Sequence, residues 1–355
     1  MFETLLRHLG EPMVLALAGA ITGLVFGFAA QRSRFCLRAA MVEVADGSFG
    51  PKLAIWLIVF FTAMVLTQGG IGLGLFDVSS TRQLAAEGSV SGALIGGVMF
   101  GVGMVLARGC ASRLLVLSAT GNLRALVTGL VVTLVAQASF TGVLAPAREA
   151  LTGLWTVPGG AGRSLLDGTG LGAGVATALA ALALIGSLVL GLRRGVSLGV
   201  VTGAFFVGLA VAMGWALTAL IAANSFEIVP VSSVTFTGPA TDTLMALVTQ
   251  RSVGLSFGIG LVPGVFVGAG AAALAFREFR LERFGPETPM ERYLVGAVLM
   301  GFGAMLAGGC AVGAGVSGGA VFSTTALLAV FAMWIGAMAT VRVLAAMGRG
   351  RAQTV

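Results

Sequence analysis

Gly301-Phe-Gly-Ala-Met-Leu-Ala-Gly-Gly-Cys310-Ala311 repeats, almost word for word, Gly101-Val-Gly-Met-Val-Leu-Ala-Arg-Gly-Cys110-Ala111. Cys310 follows Cys110 by 200 positions, and Gly96, Gly103, Leu106 and Gly109 recur at the same offset as Gly296, Gly303, Leu306 and Gly309. An internal duplication is the first feature to read in a chain, because it fixes the unit of the fold. Each copy is an apolar, helix-like run that small residues interrupt where a thiol appears, and glycine lets a ligand approach the backbone closely. The pair predicts one site built twice, from Gly109 and Cys110 in one half and Gly308, Gly309 and Cys310 in the other.

Composition sets the solvent. Charged residues make up 10% of the 355 and hydrophobic ones 57%, against about 25% charged in an ordinary soluble domain. The chain therefore reads as an all-α polytopic membrane protein. Its 55 glycines sit inside apolar runs, where small residues let helices pack without a hydrophobic driving force. The net charge of +7 comes from 21 basic residues, all arginine except Lys52. With no soluble basic domain to carry it, this charge marks membrane loops and predicts no nucleic-acid partner.

Met13 to Ala30 is long enough to cross at about 1.5 Å per residue. Arg32, Arg34 and Arg38 follow it, the reverse of a cleaved signal peptide, so it reads as a retained span ending inside. Further runs at Leu53–Ile71, Gly92–Gly109, Ala125–Leu144, Ala173–Leu192, Ser197–Ala222, Val253–Phe276, Tyr293–Gly309 and Ala320–Val341 give about nine crossings. Alternation from an outer N-terminus gathers Arg32, Arg34 and Arg38 with Lys52, Arg108, Arg113, Arg124, Arg193, Arg194, Arg277, Arg280, Arg283, Arg292, Arg342, Arg349 and Arg351 on the inner side. Only Arg7, Arg82, Arg148, Arg163 and Arg251 remain outside. This asymmetry predicts an outer N-terminus, an inner C-terminus, outer loops at Asp77–Ser91 and Asn224–Gln250 and an inner loop at Arg277–Arg292.

On that topology the two Gly-Cys copies run in opposite directions. A weaker echo agrees: Gly19-Ala-Ile-Thr22-Gly23 resembles Gly199-Val-Val-Thr202-Gly203. The expected organisation is a single membrane domain with a first repeat at 13–144, a connecting span at 173–192 and an inverted repeat at 197–341. Such folds bind substrate at the repeat interface, where interrupted helices turn their ends to it.

Three widely spaced cysteines, Cys36, Cys110 and Cys310, suit neither a disulfide framework nor a zinc site. A buried thiol is usually a small hydrophobe, but duplication favours a role for Cys110 and Cys310, beside glycines that free N–H groups for an anion. A thiol is a weak donor, which would hold an anion loosely enough to pass it on. Cys36 has no such support, its counterpart at an offset of 180 being Ala216.

Gln31-Arg-Ser-Arg34-Phe-Cys36, Leu106-Ala-Arg108-Gly109-Cys110 and Leu306-Ala-Gly308-Gly309-Cys310 resemble the three cysteine motifs of the YeeE/YedE family of bacterial inner-membrane proteins. The resemblance covers nearly the whole chain, in order. It implies an hourglass-shaped inverted-repeat protein that takes up thiosulfate, passing it between thiols by transient hydrogen bonds. It also implies a small cytosolic sulfur-carrier protein of the TusA type alongside. Some relatives are linked instead to selenium metabolism. The carry-over puts Cys36, Cys110 and Cys310 on the path, with Gln31 and Arg34 from the first motif.

Arg108, where the second copy has Gly308, either meets substrate as an intramembrane charge or anchors the end of its helix. Met104, Met300 and Met305 read as packing, and Ser232 to Thr237 as loop. His8 is the only histidine, so no Cys–His nucleophile is available. No nucleotide-binding loop of the G-x-x-x-x-G-K-[ST] type occurs, and no cofactor is expected. The leading function is a permease or channel for thiosulfate or a related sulfur anion, not an enzyme. The alternatives are a selenium or sulfite transporter of the same fold, a membrane-embedded thiol sulfurtransferase, and a scaffold.

Overall fold

Hydropathy alone requires helices here, because a backbone in lipid must satisfy its own hydrogen bonds. The computed structural model describes residues 8–225, 227–249, 254–283 and 290–348. Arg7, Arg251, Arg349 and Arg351, counted above in the loop balance, lie outside them. The first half runs α1 (Glu11–Ser33), α2 (Leu37–Ala45), α3 (Pro51–Gly72), α4 (Arg82–Ala85), α5 (Val90–Leu106), α6 (Ala111–Ala119), α7 (Leu123–Phe140) and α8 (Ala145–Thr152). Then come α9 (Leu165–Thr169), α10 (Ala173–Arg193), α11 (Leu198–Ala223), α12 (Thr237–Thr249), α13 (Phe257–Ala275), α14 (Met290–Leu306), the π-wound α15 (Ala311–Gly318) and α16 (Thr324–Ala346). Two short strands, β1 (Gly88–Ser89) and β2 (Thr156–Val157), pair antiparallel in the loops.

Among the described residues nine stretches are long and apolar enough to cross a membrane: α1 with α2, α3, α5 with α6, α7, α10, α11, α13, α14 with α15, and α16. These are the nine runs expected from hydropathy. Two edges differ. The run read as Ala320–Val341 begins with a turn, Phe322 lying at φ 52° and Ser323 Oγ donating to Gln83 O at 2.9 Å, and the helix starts only at Thr324. The run read to Leu144 stops as helix at Phe140. Hydropathy does not distinguish a buried apolar turn from a helix.

Glycine faces set the packing. A Cβ added at Gly96 would lie 2.5 Å from both Ala307 N and Gly303 O, and one at Gly103 2.6 Å from Gly296 O. Helices α5 and α14 therefore touch backbone to backbone and run antiparallel. By the same measure Gly19, Gly23 and Gly27 abut Phe257, Leu261 and Val265, so α1 and α13 run parallel. Gly97 and Gly101 abut Ala329 and Met333, aligning α5 with α16. Helix α14 packs on α7, and α11 on both α1 and α3. Exchanging α1, α3, α5 and α7 with α11, α13, α14 and α16 turns α1–α13 into α11–α3 and α5–α16 into α14–α7, all of them observed contacts. Helix α10 packs on α3 and otherwise presents Leu179, Leu182 and Ile185 outward, as a lipid-facing span would.

Candidate functional site

The duplicated words fold into the same local structure. Helix α5 ends at Leu106, Arg108 takes a left-handed conformation (φ 55°), and Gly109 N donates back to Met104 O at 3.1 Å. Helix α14 ends at Leu306, Gly308 is left-handed (φ 75°), and Gly309 N donates to Ala304 O at 2.9 Å. Both are helix stops closed by a six-to-one hydrogen bond. The chain then restarts as a short helix with the cysteine at its N-cap: Cys110 before α6, Cys310 before α15. Neither side chain caps its helix, which leaves first-turn N–H groups, and the positive end of the helix dipole, for another acceptor.

Cys36 has the same setting. Arg34 is left-handed (φ 53°), and Cys36 is the N-cap of α2, again without a side-chain cap. Duplication gave it no support because its offset partner, Ala216, lies inside the unbroken α11. The structure shows a left-handed residue two positions before the thiol at Arg34, Arg108 and Gly308; the available sequence signal was Arg-x-Cys, shared by Arg34-Phe-Cys36 and Arg108-Gly-Cys110.

Cys110 and Cys310 are each 1% exposed and Cys36 is half-buried. The two copies do not form one site. Leu306 lies beside Gly92, and from Gly92 to Leu106 the helix rises about 21 Å at 1.5 Å per residue, so the two turns begin at opposite ends of the α5–α14 pair. Helices α6 and α15 nonetheless reach one another. The thiol beside Cys110 is Cys36, whose side chain interacts with it, and Ser112 Oγ stands 3.3 Å from Cys110 Sγ.

Arg38 and Arg113 flank this thiol pair, Arg113 within electrostatic reach of both sulfurs. Arg38 Nε and Arg113 Nη1 are buried without a hydrogen-bond acceptor. Each arginine sits in the first turn of a short helix, where a cation opposes the dipole, so neither anchors its helix. Sequence reading assigned them to topology. Their positions, two after Cys36 and three after Cys110, were the available signal.

Gln31 and Arg34, expected on the path, are both bound by Glu278. Gln31 Nε2 donates to Glu278 Oε2 at 2.7 Å and Arg34 Nη2 to Oε1 at 3.3 Å, while Gln31 Oε1 is buried without a donor. Glu278 belongs to a segment after α13 that also pairs with the α6–α7 turn, Arg280 N donating to Thr120 O at 3.2 Å and Glu282 N to Gly121 O at 3.0 Å. Arg108 stays half-buried, within electrostatic reach of Arg38 and Arg292.

At the other end Arg82 Nη2 donates to Gly308 O at 3.1 Å, pinning the turn before Cys310. Gly308 and Gly309 open onto cavities of about 260 and 240 Å³, which Arg82 and Arg148 line as well. The stretch from Ser232 to Phe236 is irregular, as expected, and it is packed. Val234 O accepts from Ser317 Oγ at 2.6 Å, and Thr235 lies against Gly313, so it packs on α15. Met104 and Met300 are fully buried packing residues, and Met305 lines the smaller cavity. His8 is exposed.

Nine apolar spans, three of them broken at a cysteine that starts a short buried helix, define a multi-pass all-α membrane protein with thiols and arginines at its helix breaks. Residues 32–339 match the family described as Sulphur transport, and the chain belongs to that family, the YeeE/YedE proteins. It is similar to the thiosulfate transporter TsuA of Escherichia coli (strain K12), 27% identical over 329 residues, covering 85% of this chain and 87% of the relative. It is also similar to the thiosulfate transporter TsuA of Spirochaeta thermophila, 26% identical over 323 residues, covering 83% and 88%.

Proposed function

We propose that this protein carries thiosulfate, or a closely related sulfur anion, through the bacterial inner membrane, and that the anion is handed from Cys310 to Cys110 and Cys36 by transient hydrogen bonds. One observation carries the proposal: each thiol stands at the uncapped start of a short helix, and the helices that follow Cys110 and Cys310 touch. An anion there meets a weak S–H donor, free N–H groups and a positive helix end, enough to bind and little enough to release. At the inner end Arg38 and Arg113 supply unpaired donors. Sulfur transfer is the second reading, because helix starts and the neighbouring Arg38 and Arg113 favour a thiolate in the pair of Cys36 and Cys110, and the serine variants separate it from passage by hydrogen bonds. A TusA-like carrier would receive the anion on the Glu278 side.

The same proposal places 13–144 and 197–341 as inverted repeats about the connecting span 173–192, with the N-terminus outside and the C-terminus inside. The exchanged packing of α1–α13 with α11–α3 and the antiparallel α5–α14 contact support it. Impermeant labelling of single cysteines placed in 77–91 and 277–283 is expected to come from opposite sides. Labelling from one side would remove the inverted arrangement. Uptake of labelled thiosulfate, sulfite and selenite into proteoliposomes tests the substrate, with thiosulfate expected to enter fastest.

A further inference from the structure

Arg82, Arg148 and Arg163 come from three separate stretches that the loop charge balance treats as leftovers. The fold brings all three to one cavity of about 260 Å³ beside Gly308, two residues before Cys310, with Ser89, Thr152 and Thr325 also in its wall. Arg163 is fixed there: Nη1 donates to Arg82 O and Ala86 O, each at 2.9 Å, and Nη2 to Thr325 Oγ1 at 2.7 Å. Gly88 makes room for it, since a Cβ at that position would lie 2.6 Å from Arg163 Nε. Arg148 lies over the Phe140 ring and pairs at 3.0 Å with Glu149. The Nε atoms of Arg148 and Arg163 are buried without an acceptor.

Of the three arginines, Arg148 alone has an ion pair among the described residues, with Glu149. Glu87 is the carboxylate in the same wall, and Asp242 lines the adjoining cavity that Arg82 and Arg148 share. Desolvation lowers the pKa of Arg82, and desolvation together with the Arg82 charge lowers that of Arg163. Arg82 and Arg163 held this way repel one another until an anion arrives.

We propose that this cavity is a capture site for a doubly charged tetrahedral oxyanion, which the guanidiniums of Arg82, Arg148 and Arg163 hold by its oxygens before its soft end reaches Cys310. The proposal rests on the transport function inferred above and adds a selectivity step to it. The arginines recognise charge and oxygen geometry, which sulfate and thiosulfate share, whereas the thiol that follows discriminates by the terminal sulfur. Sulfate therefore occupies this site and blocks it without being carried further.

The test is uptake of labelled thiosulfate into proteoliposomes, with and without unlabelled sulfate, for Arg82→Gln, Arg148→Gln and Cys310→Ala. Arg82 also holds Gly308 O, whereas the hydrogen bond of Arg148 goes to Glu149 and not to the turn, so the second variant separates capture from a distorted turn. Each arginine variant is expected to raise the half-saturation concentration about tenfold, as the loss of a charge-assisted hydrogen bond does, far more than it lowers the maximal rate. Competition by sulfate should weaken in parallel, and Arg148→Lys should restore part of both. Isothermal titration of sulfate into purified protein should lose its signal in Arg148→Gln. Unchanged half-saturation and sulfate competition in both arginine variants, with Cys310→Ala inactive, would overturn the capture site and leave transport standing. Wild-type uptake in all three variants would overturn the path itself.

Discussion

The turns at Cys110 and Cys310 have the same backbone and different electrostatics. Both close with a six-to-one hydrogen bond, both put a thiol at an uncapped helix start, and both lie on the glycine seam between α5 and α14. At the Cys110 turn the cations are part of the motif: Arg108 holds the left-handed position, Arg113 sits in the first turn of α6, and Arg38 comes with Cys36. At the Cys310 turn those places are Gly308 and Gly313, and loops supply the charge through Arg82, Arg148 and Arg163. Duplication thus conserves the geometry that presents a thiol and leaves the surrounding charge free to differ between the two ends. One end has a second thiol within reach. The other has a wide basic cavity.

The largest effect that tests this comparison is loss of a thiol. A hydrogen bond to a charged group is worth about 1.5–3 kcal/mol, so Cys110→Ala and Cys310→Ala should each slow uptake about 10- to 100-fold. Serine at either position keeps a donor and should retain more uptake than alanine. Equal loss in Cys110→Ser and Cys110→Ala, with sulfur added to Cys110 by intact mass after substrate exposure, would replace hydrogen-bonded passage by persulfide transfer. Cys36→Ala should resemble Cys110→Ala if both thiols serve one step, and thereby mark the asymmetry between the ends.

Next in size is the seam. Gly96→Val inserts atoms where a single Cβ already lies 2.5 Å from Gly303 O and Ala307 N, and overpacking of this kind costs about 1–3 kcal/mol. Thermal unfolding in detergent should shift down by several degrees, whereas Gly186→Ala, inside α10 with nothing within 4 Å of the added Cβ, should not lower it, alanine being the better helix former. A smaller effect separates the two left-handed positions. A non-glycine residue there costs about 1–2 kcal/mol, so Arg108→Gly should raise the melting temperature by about 2–4 °C and Gly308→Ala should lower it. If Arg108 serves the path, its glycine variant will also transport severalfold more slowly. An unchanged rate makes it an anchor.

The smallest effect is at Asp242. Burial raises its carboxyl pKa, so the folded protein binds that proton more readily than the unfolded chain, and folding gains as pH falls through the folded value. Asp242→Asn should therefore raise the melting temperature by about 1 °C at neutral pH, with the gain vanishing below the ordinary carboxylate range. A variant no more stable than the parent at neutral pH would show that the cavity wall beside Gly308 and Gly309 imposes no cost on a negative side chain.

Sequence by itself determined what depends on neighbours along the chain. Hydropathy determines the nine spans, because lipid admits only long apolar helices, and the duplicated Gly-Cys words point to two of the three breaks, because small residues before each thiol permit the turn that ends a helix. Tertiary structure decided what meets across those breaks. Cys36 against Cys110, Glu278 upon Gln31 and Arg34, and Arg82, Arg148 and Arg163 around one cavity join positions far apart in the chain. The glycine seams that bring them together look alike in sequence. Which seam closes on which is settled by backbone contact within about one Cβ of space, a property of two helices together that neither helix carries alone.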